Sequence, residues 1–167
     1  SQIVFKNVMA LLKFTIPAEL AGEITQIAVW GKNSDHVAGE IICDYSGDKP
    51  VTVPFKKFYP ESNKGYTDVS IEDTKGMAPG YYYLAVCPGA VNGFVVQVAT
   101  KSGRVYRRET TKAFTLESGV IYDMGEIEAE TYNVKGNGIT ELPYAFSFDE
   151  KSKDTPQYLR KNVGTYN

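Results

Sequence analysis

An all-β fold, an antiparallel β-sandwich followed by a C-terminal extension, is what this chain predicts, and three observations lead there. Its apolar residues fall in short runs rich in β-branched and aromatic side chains, the types that suit a pleated, half-buried surface. Turn formers separate those runs at intervals of about 8 to 12 residues, the spacing of sandwich strands. No stretch between residues 1 and 128 keeps a sustained 3.6-residue apolar period, as a core-facing helix would require. A closed barrel meets the same conditions and stands as the alternative.

The most apolar segment is residues 3–16, Ile-Val-Phe-Lys-Asn-Val-Met-Ala-Leu-Leu-Lys-Phe-Thr-Ile. Pro17 ends it, and no capping residue precedes a helical stripe, so it reads as a strand. Val8, Ala10, Leu12, Phe14 and Ile16 would then line one face, with Met9 and Leu11 making the other partly apolar. A strand apolar on both faces needs cover on both. A second sheet, a neighbouring domain or a strand from another molecule would supply it. Val4, Phe5, Met9 and Leu11 are therefore candidates for an assembly strand.

Residues 24–30 (Ile-Thr-Gln-Ile-Ala-Val-Trp) read as the next strand, closed by the turn formers of 31–35. A third spans 37–46, and residues 47–50 turn the chain into Val51-Thr52-Val53. Pro54 marks a strand end or edge, since proline cannot donate to a ladder. Residues 55–65, aromatic and basic together, are the most loop-like part, and a strand at 67–72 follows. Residues 78–89 read as turn, strong strand, turn. The clearest hairpin pairs 94–100 with 105–109 across Lys101-Ser-Gly-Arg104. A further pair, 113–116 and 120–127, is expected to join through Glu117-Ser118-Gly119.

Past Glu128 the texture changes. The expected division is a sandwich over 1–128, a linker over 129–141, and at 142–167 either a docked extension or the opening of a second β domain. Twenty-six residues are too few to bury their own core.

With 167 residues, 43% hydrophobic and 23% charged, the chain has material for one domain core without metal or disulfide staples. A net charge of -2 leaves no basic footprint for nucleic acid. The sequence as given has neither an 18-residue apolar run nor a signal-peptide pattern. Cys43 and Cys87 sit in apolar runs whose spacing matches no metal or redox motif; buried free thiols are expected, with a disulfide as the alternative. The 12 tyrosines are expected chiefly to pack on sheets.

No constellation for catalysis stands out, and no cofactor or metal is expected. His36 is the sole histidine, and neighbouring Ser34 and Asp35 do not make a triad by adjacency. The carboxylates Glu72, Asp73, Glu126, Glu128 and Glu130 read as solvated sheet residues rather than a glycosidase pair, which needs two acids about 5 to 10 Å apart across a cleft. Asp44 and Asp48 lack calcium-loop spacing. Gly136-Asn137-Gly138 lacks the lysine and helix of a phosphate loop. Binding is the better expectation: Phe58, Tyr59 and Tyr66 are candidates for stacking on sugar rings or a protein partner. Lys101, Arg104, Arg107 and Arg108 form a basic cluster at the hairpin, suited to solvent or to an anionic glycan.

Five segments in register add a resemblance: residues 5–14, 24–29, 37–40, 80–89 (Gly-Tyr-Tyr-Tyr-Leu-Ala-Val-Cys-Pro-Gly) and 114–125 (Phe-Thr-Leu-Glu-Ser-Gly-Val-Ile-Tyr-Asp-Met-Gly). Over residues 3 to 127 the chain resembles the fimbrillin-like family of Bacteroidales surface proteins, which includes type V pilins, tip and anchor subunits and adhesins. Residues 142–148 resemble the opening of the jelly-roll domains that often follow in such proteins. The resemblance implies a transthyretin-like sandwich in an exported protein of the cell surface, held at the outer membrane by a lipid outside this chain. It also implies a non-enzymatic role in adhesion or fimbriae, as pilus tip, accessory subunit or stand-alone adhesin. The expected partners are other fimbrial subunits or a surface receptor, and glycans if the chain is instead a module for polysaccharide capture. A chain carrying a different second domain fits a tip or free adhesin better than a shaft subunit.

Overall fold

A computed structural model describes residues 7–38, 41–44, 46–47, 51–54, 66–71, 75–110, 112–135 and 140–142. Two sheets form its layers. The first contains β1 (Ala10–Ile16), β6 (Gly80–Val86), β11 (Ile121–Ile127), β12 (Val134–Lys135) and β13 (Thr140–Leu142). Its order is β12-β11-β1-β6, and β13 also pairs with β11. The second contains β2 (Ile24–Gly31), β5 (Tyr66–Ser70), β8 (Phe94–Thr100) and β9 (Val105–Glu109), in the order β5-β2-β8-β9. Two short ribbons accompany them: β3 (Ile41–Asp44) with β4 (Val51–Pro54), and β7 (Gly89–Val91) with β10 (Phe114–Leu116). This is the all-β sandwich that the turn spacing predicts.

Alternation along each strand builds the core. Ala10, Leu12, Phe14 and Ile16 of β1 are at most 1% exposed and meet Ile27 and Val29 of β2, Phe94, Val96 and Val98 of β8, and Tyr82, Leu84 and Val86 of β6 in one cluster. The period of two in residues 10–16 thus places one whole face inward. Two bulges keep later residues in phase. Between Ile24 and Gln26 the β2–β8 register slips, so Ile24 joins the same core as Ile27 despite an odd spacing. Between Asp123 and Gly125 the β1–β11 register slips likewise, returning Ile127 to the core beside Tyr122 and Met124. One inserted residue changes which face every following side chain takes.

Two pairings differ from the sequence expectation. Residues 113–116 and 120–127 do not form a hairpin: β10 pairs antiparallel with β7, and β11 lies parallel to β1. The main chain of the first strand takes the intervening segment, since Leu11 N–H donates to Val120 O at 3.0 Å and Gly119 N–H to Met9 O at 2.9 Å. The Tyr122 hydroxyl then fastens the crossing, accepting from Glu117 N–H and donating to Thr115 O. The remaining pairings among the described strands are antiparallel. Within 129–141, read from the sequence as a linker, β12 and the start of β13 pair with β11. The residues beyond 142 lie outside those described.

Candidate functional site

The two sheets present different outward faces. On the first, Leu11, Tyr83 and Ile121 point away from the main core, yet they are 6%, 1% and 1% exposed and cluster with Ala85. Beside them the Lys13 ammonium sits 3.2 Å from Asp123 and 4.3 Å from the Tyr81 ring centroid. Lys13 and Asp123 are register partners across the parallel β1–β11 pair, so the ion pair follows from the topology.

The second sheet's outward face has exposed side chains along both edge strands, Tyr66, Asp68 and Ser70 on β5 and Val105, Arg107 and Glu109 on β9. Because Ile27 and Val29 enter the core, Gln26, Ala28 and Trp30 of β2 face outward. The same parity puts Val95, Gln97 and Ala99 of β8 outward, opposite Val96 and Val98, and Tyr66, Asp68 and Ser70 of β5 outward, in phase against Val69. Register aligns these in three rungs that continue onto β9: Tyr66–Trp30–Val95–Glu109, Asp68–Ala28–Gln97–Arg107 and Ser70–Gln26–Ala99–Val105. Trp30 and Tyr66 lie with ring centroids 5.4 Å apart and planes tilted by 32°. The Arg107 guanidinium carbon stands 5.6 Å from the Trp30 centroid, the geometry of a cation on an aromatic face. Both acids of the face are engaged: Gln26 Nε2 donates to Asp68 Oδ2 at 2.9 Å, and Lys32 pairs with Glu109 at 3.3 Å. Among the described residues no carboxylate pairs with Arg107. Tyr66 is 53% exposed and Arg107 is exposed, whereas Ala28 and Val95 of the same face are buried.

Tyr66 is therefore the sequence candidate that the fold places in a group, with Trp30 and Arg107. Phe58 and Tyr59 lie outside the described residues, as do Val4 and Phe5 of the candidate assembly strand. Met9 is half-buried just before β1, and Leu11 is buried within it, a strand hydrogen-bonded on both sides by β6 and β11. The basic cluster divides. Arg107 and Arg108 are adjacent on β9 and so project to opposite faces, while Lys101 and Arg104 are exposed at the hairpin turn.

His36 is exposed. Its neighbour Asp35 instead accepts the Asn92 N–H at 2.6 Å and clamps the 31–35 loop to the turn before β8. Cys43 and Cys87 are free thiols, the first half-buried and the second buried, and burial pushes the Cys87 thiol up. Asp44 accepts a hydrogen bond from Ser46, which holds its carboxyl below the usual range. Glu128 accepts from Thr131 Oγ1 at 2.7 Å. No cluster of three or more metal-ligating side chains occurs among the described residues. Glu72, Asp73, Asp48 and Gly136–Gly138 lie outside the described residues.

Trp30 was not among the sequence candidates, because it closes a strand whose neighbours are core residues. Its parity against Ile27 and Val29 is the signal that turns it outward. No protein-family model and no curated protein matches the chain. A solved structure similar to it is that of a Bacteroides ovatus protein provisionally named for cell adhesion, with 12% identity and a TM-score of 0.43 over 87% of this chain. The chain spans about half the length of that protein, 47%.

Proposed function

We propose that this chain is a binding module for attachment at a cell surface, an adhesin or accessory fimbrial subunit, and that it works by contact rather than by catalysis. The observation that supports this reading is the open face of the second sheet, where Trp30, Tyr66 and Arg107 are grouped on rigid strands. A sheet face costs little to order on binding, because the paired strands already hold its side chains in place. The fimbrillin-like segments of the sequence agree with such a role. Beads coated with the chain should be retained under flow on epithelial monolayers above albumin-coated beads. Retention equal to albumin would overturn the attachment reading. Full mature protein trimmed with a trypsin-like protease and run on denaturing gels with and without boiling separates a shaft pilin from this reading: a heat-sensitive ladder would mean self-polymerisation, and a single monomer band leaves a tip subunit or free adhesin.

A further inference from the structure

We infer that the Trp30–Tyr66–Arg107 face is a binding platform for an acidic polysaccharide, a chain of pyranoses bearing carboxylates; the inference rests on the attachment reading and names its ligand. A pyranose ring presents a face of axial C–H groups, weakly positive and apolar, which complements the negative face of an aromatic ring. Trp30 and Tyr66 pack together, 5.4 Å between centroids and 32° apart in plane, rather than turned edge to face, and Tyr66 stays 53% exposed. They stand on neighbouring strands directly in register, Trp30 opposite Tyr66, so the platform is preorganised. A sugar chain crossing the strands would meet both rings in succession.

Charge selects among sugars. Of the charged groups on this face, Asp68 is held by Gln26 and Glu109 by Lys32, whereas Arg107 meets the indole and no carboxylate among the described residues. A planar guanidinium stacked on a ring keeps its N–H edge free, and that edge matches a carboxylate bidentately. Arg107 covers one face of Trp30, so the stacking surface is the exposed Tyr66 ring with the open part of the indole, and the acid group of the next unit along the chain would meet the guanidinium. Gln97, the register partner of Arg107, puts an amide alongside for hydroxyl groups. A protein epitope would meet little aliphatic surface at the centre, since Ala28 and Val95 are 1% and 6% exposed. A nucleic acid draws its affinity from several basic contacts to phosphates. The single guanidinium of this face supplies one such contact, which suffices for one sugar carboxylate and not for a run of phosphates.

Trp30 is the chain's one tryptophan, so its emission reports on the platform directly. The full chain is titrated with oligogalacturonate, alginate and hyaluronate fragments, with methyl-esterified oligogalacturonate as the uncharged match and oligo(dT) as the nucleic-acid control. At least one acidic oligomer should shift Trp30 emission saturably, and esterification should weaken binding at least tenfold. Arg107→Gln and Tyr66→Ala, both at exposed positions, should each weaken it at least tenfold while melting at the wild-type temperature. Trp30→Tyr, followed by calorimetry, should retain part of the affinity that Trp30→Ala loses. The inference is overturned by no response to any acidic oligomer, by equal affinity for acid and ester, by indifference to Arg107→Gln, or by tighter binding of oligo(dT). If beads carrying the chain still adhere to monolayers while no acidic oligomer binds, the glycan is wrong and attachment stands; if both fail, both readings fall.

Discussion

Gly76→Ala should be far more costly than Gly103→Ala, although both residues have left-handed backbone, with φ of 72° and 80°. The first lies where two chain segments touch. Gly22 N–H donates to Met77 O at 2.9 Å and Met77 N–H to Ile24 O at 2.7 Å. A Cβ on Gly76 would stand 2.2 Å from the Gly22 carbonyl oxygen and 2.5 Å from its carbon, while a Cβ on Gly103 would meet nothing within 4 Å. Forcing an L side chain into the left-handed region costs about 1–2 kcal/mol, and both variants carry that cost. Overpacking against an unyielding backbone adds about 1–3 kcal/mol, and that addition falls on Gly76 alone. The expectation is a loss of about 1–2 kcal/mol for Gly103→Ala and about 2–5 kcal/mol for Gly76→Ala. Urea unfolding followed by Trp30 emission measures both, and thermal melts should separate them by about 2–4 °C per kcal/mol for a chain of this size. Equal losses in the two variants would refute the close approach as the cause.

On the outward face of the first sheet, Asp123→Ala should cost about 3 kcal/mol by leaving the Lys13 ammonium, 11% exposed, without its partner. It also removes the acceptor of the Gly125 N–H at the bulge. Lys13→Met keeps the stem packed and should stay within about 1.5 kcal/mol of wild type; guanidinium melts in the opposite order would contradict this. At pH about 8, iodoacetamide should label half-exposed Cys43 first and leave Cys87, whose thiolate is suppressed by burial; equal labelling by mass spectrometry would contradict it. Burial raises the Tyr82 phenol, whose hydroxyl donates to Ala78 O at 2.8 Å. A raised folded value means that its contribution is fully present below the unfolded value of about 10 and is lost as pH rises through the folded one. Urea midpoints should therefore fall in the alkaline range, and Tyr82→Phe should flatten that fall; an unchanged slope would exclude Tyr82 as its source.

Local pattern carried most of the fold into the sequence. The period of two in residues 10–16 identifies the face that enters the core, and Lys101-Ser-Gly-Arg104 marks a hairpin that the structure keeps as read, as it keeps the pairing of the strands on either side of residues 47–50. What was not legible depends on partners distant in the chain. The bulge at Asp123–Gly125 leaves only an isolated glycine in the sequence, Gly125 with φ of 95°, and it decides whether Ile127 faces in or out. Glu117-Ser118-Gly119 has hairpin composition, yet β1 competes for β11 and takes it in parallel. The site was half legible for the same reason. Tyr66 is visible as an aromatic beside a loop, whereas Trp30 and Arg107 join it only once the β5-β2-β8-β9 order is known.

That order explains why one outer face is available for contact and the other is not. Both sheets must bury their inner faces, and the shared cluster of β1, β2, β6 and β8 residues does so. The outward rows are then free to diverge. On the first sheet they are Leu11, Ile121, Ala85 and Tyr83 around a nearly buried Lys13, side chains that would lose free energy if left in water. On the second, beside the aliphatic Ala28, Val95, Ala99 and Val105, they are aromatics with polar tips, amides and ions, of which Tyr66 at 53% exposed and the exposed Arg107 are stable in water as they stand. The acidic glycan inferred above calls for stacking and charge rather than aliphatic burial, and Trp30, Tyr66 and Arg107 put both on the second sheet.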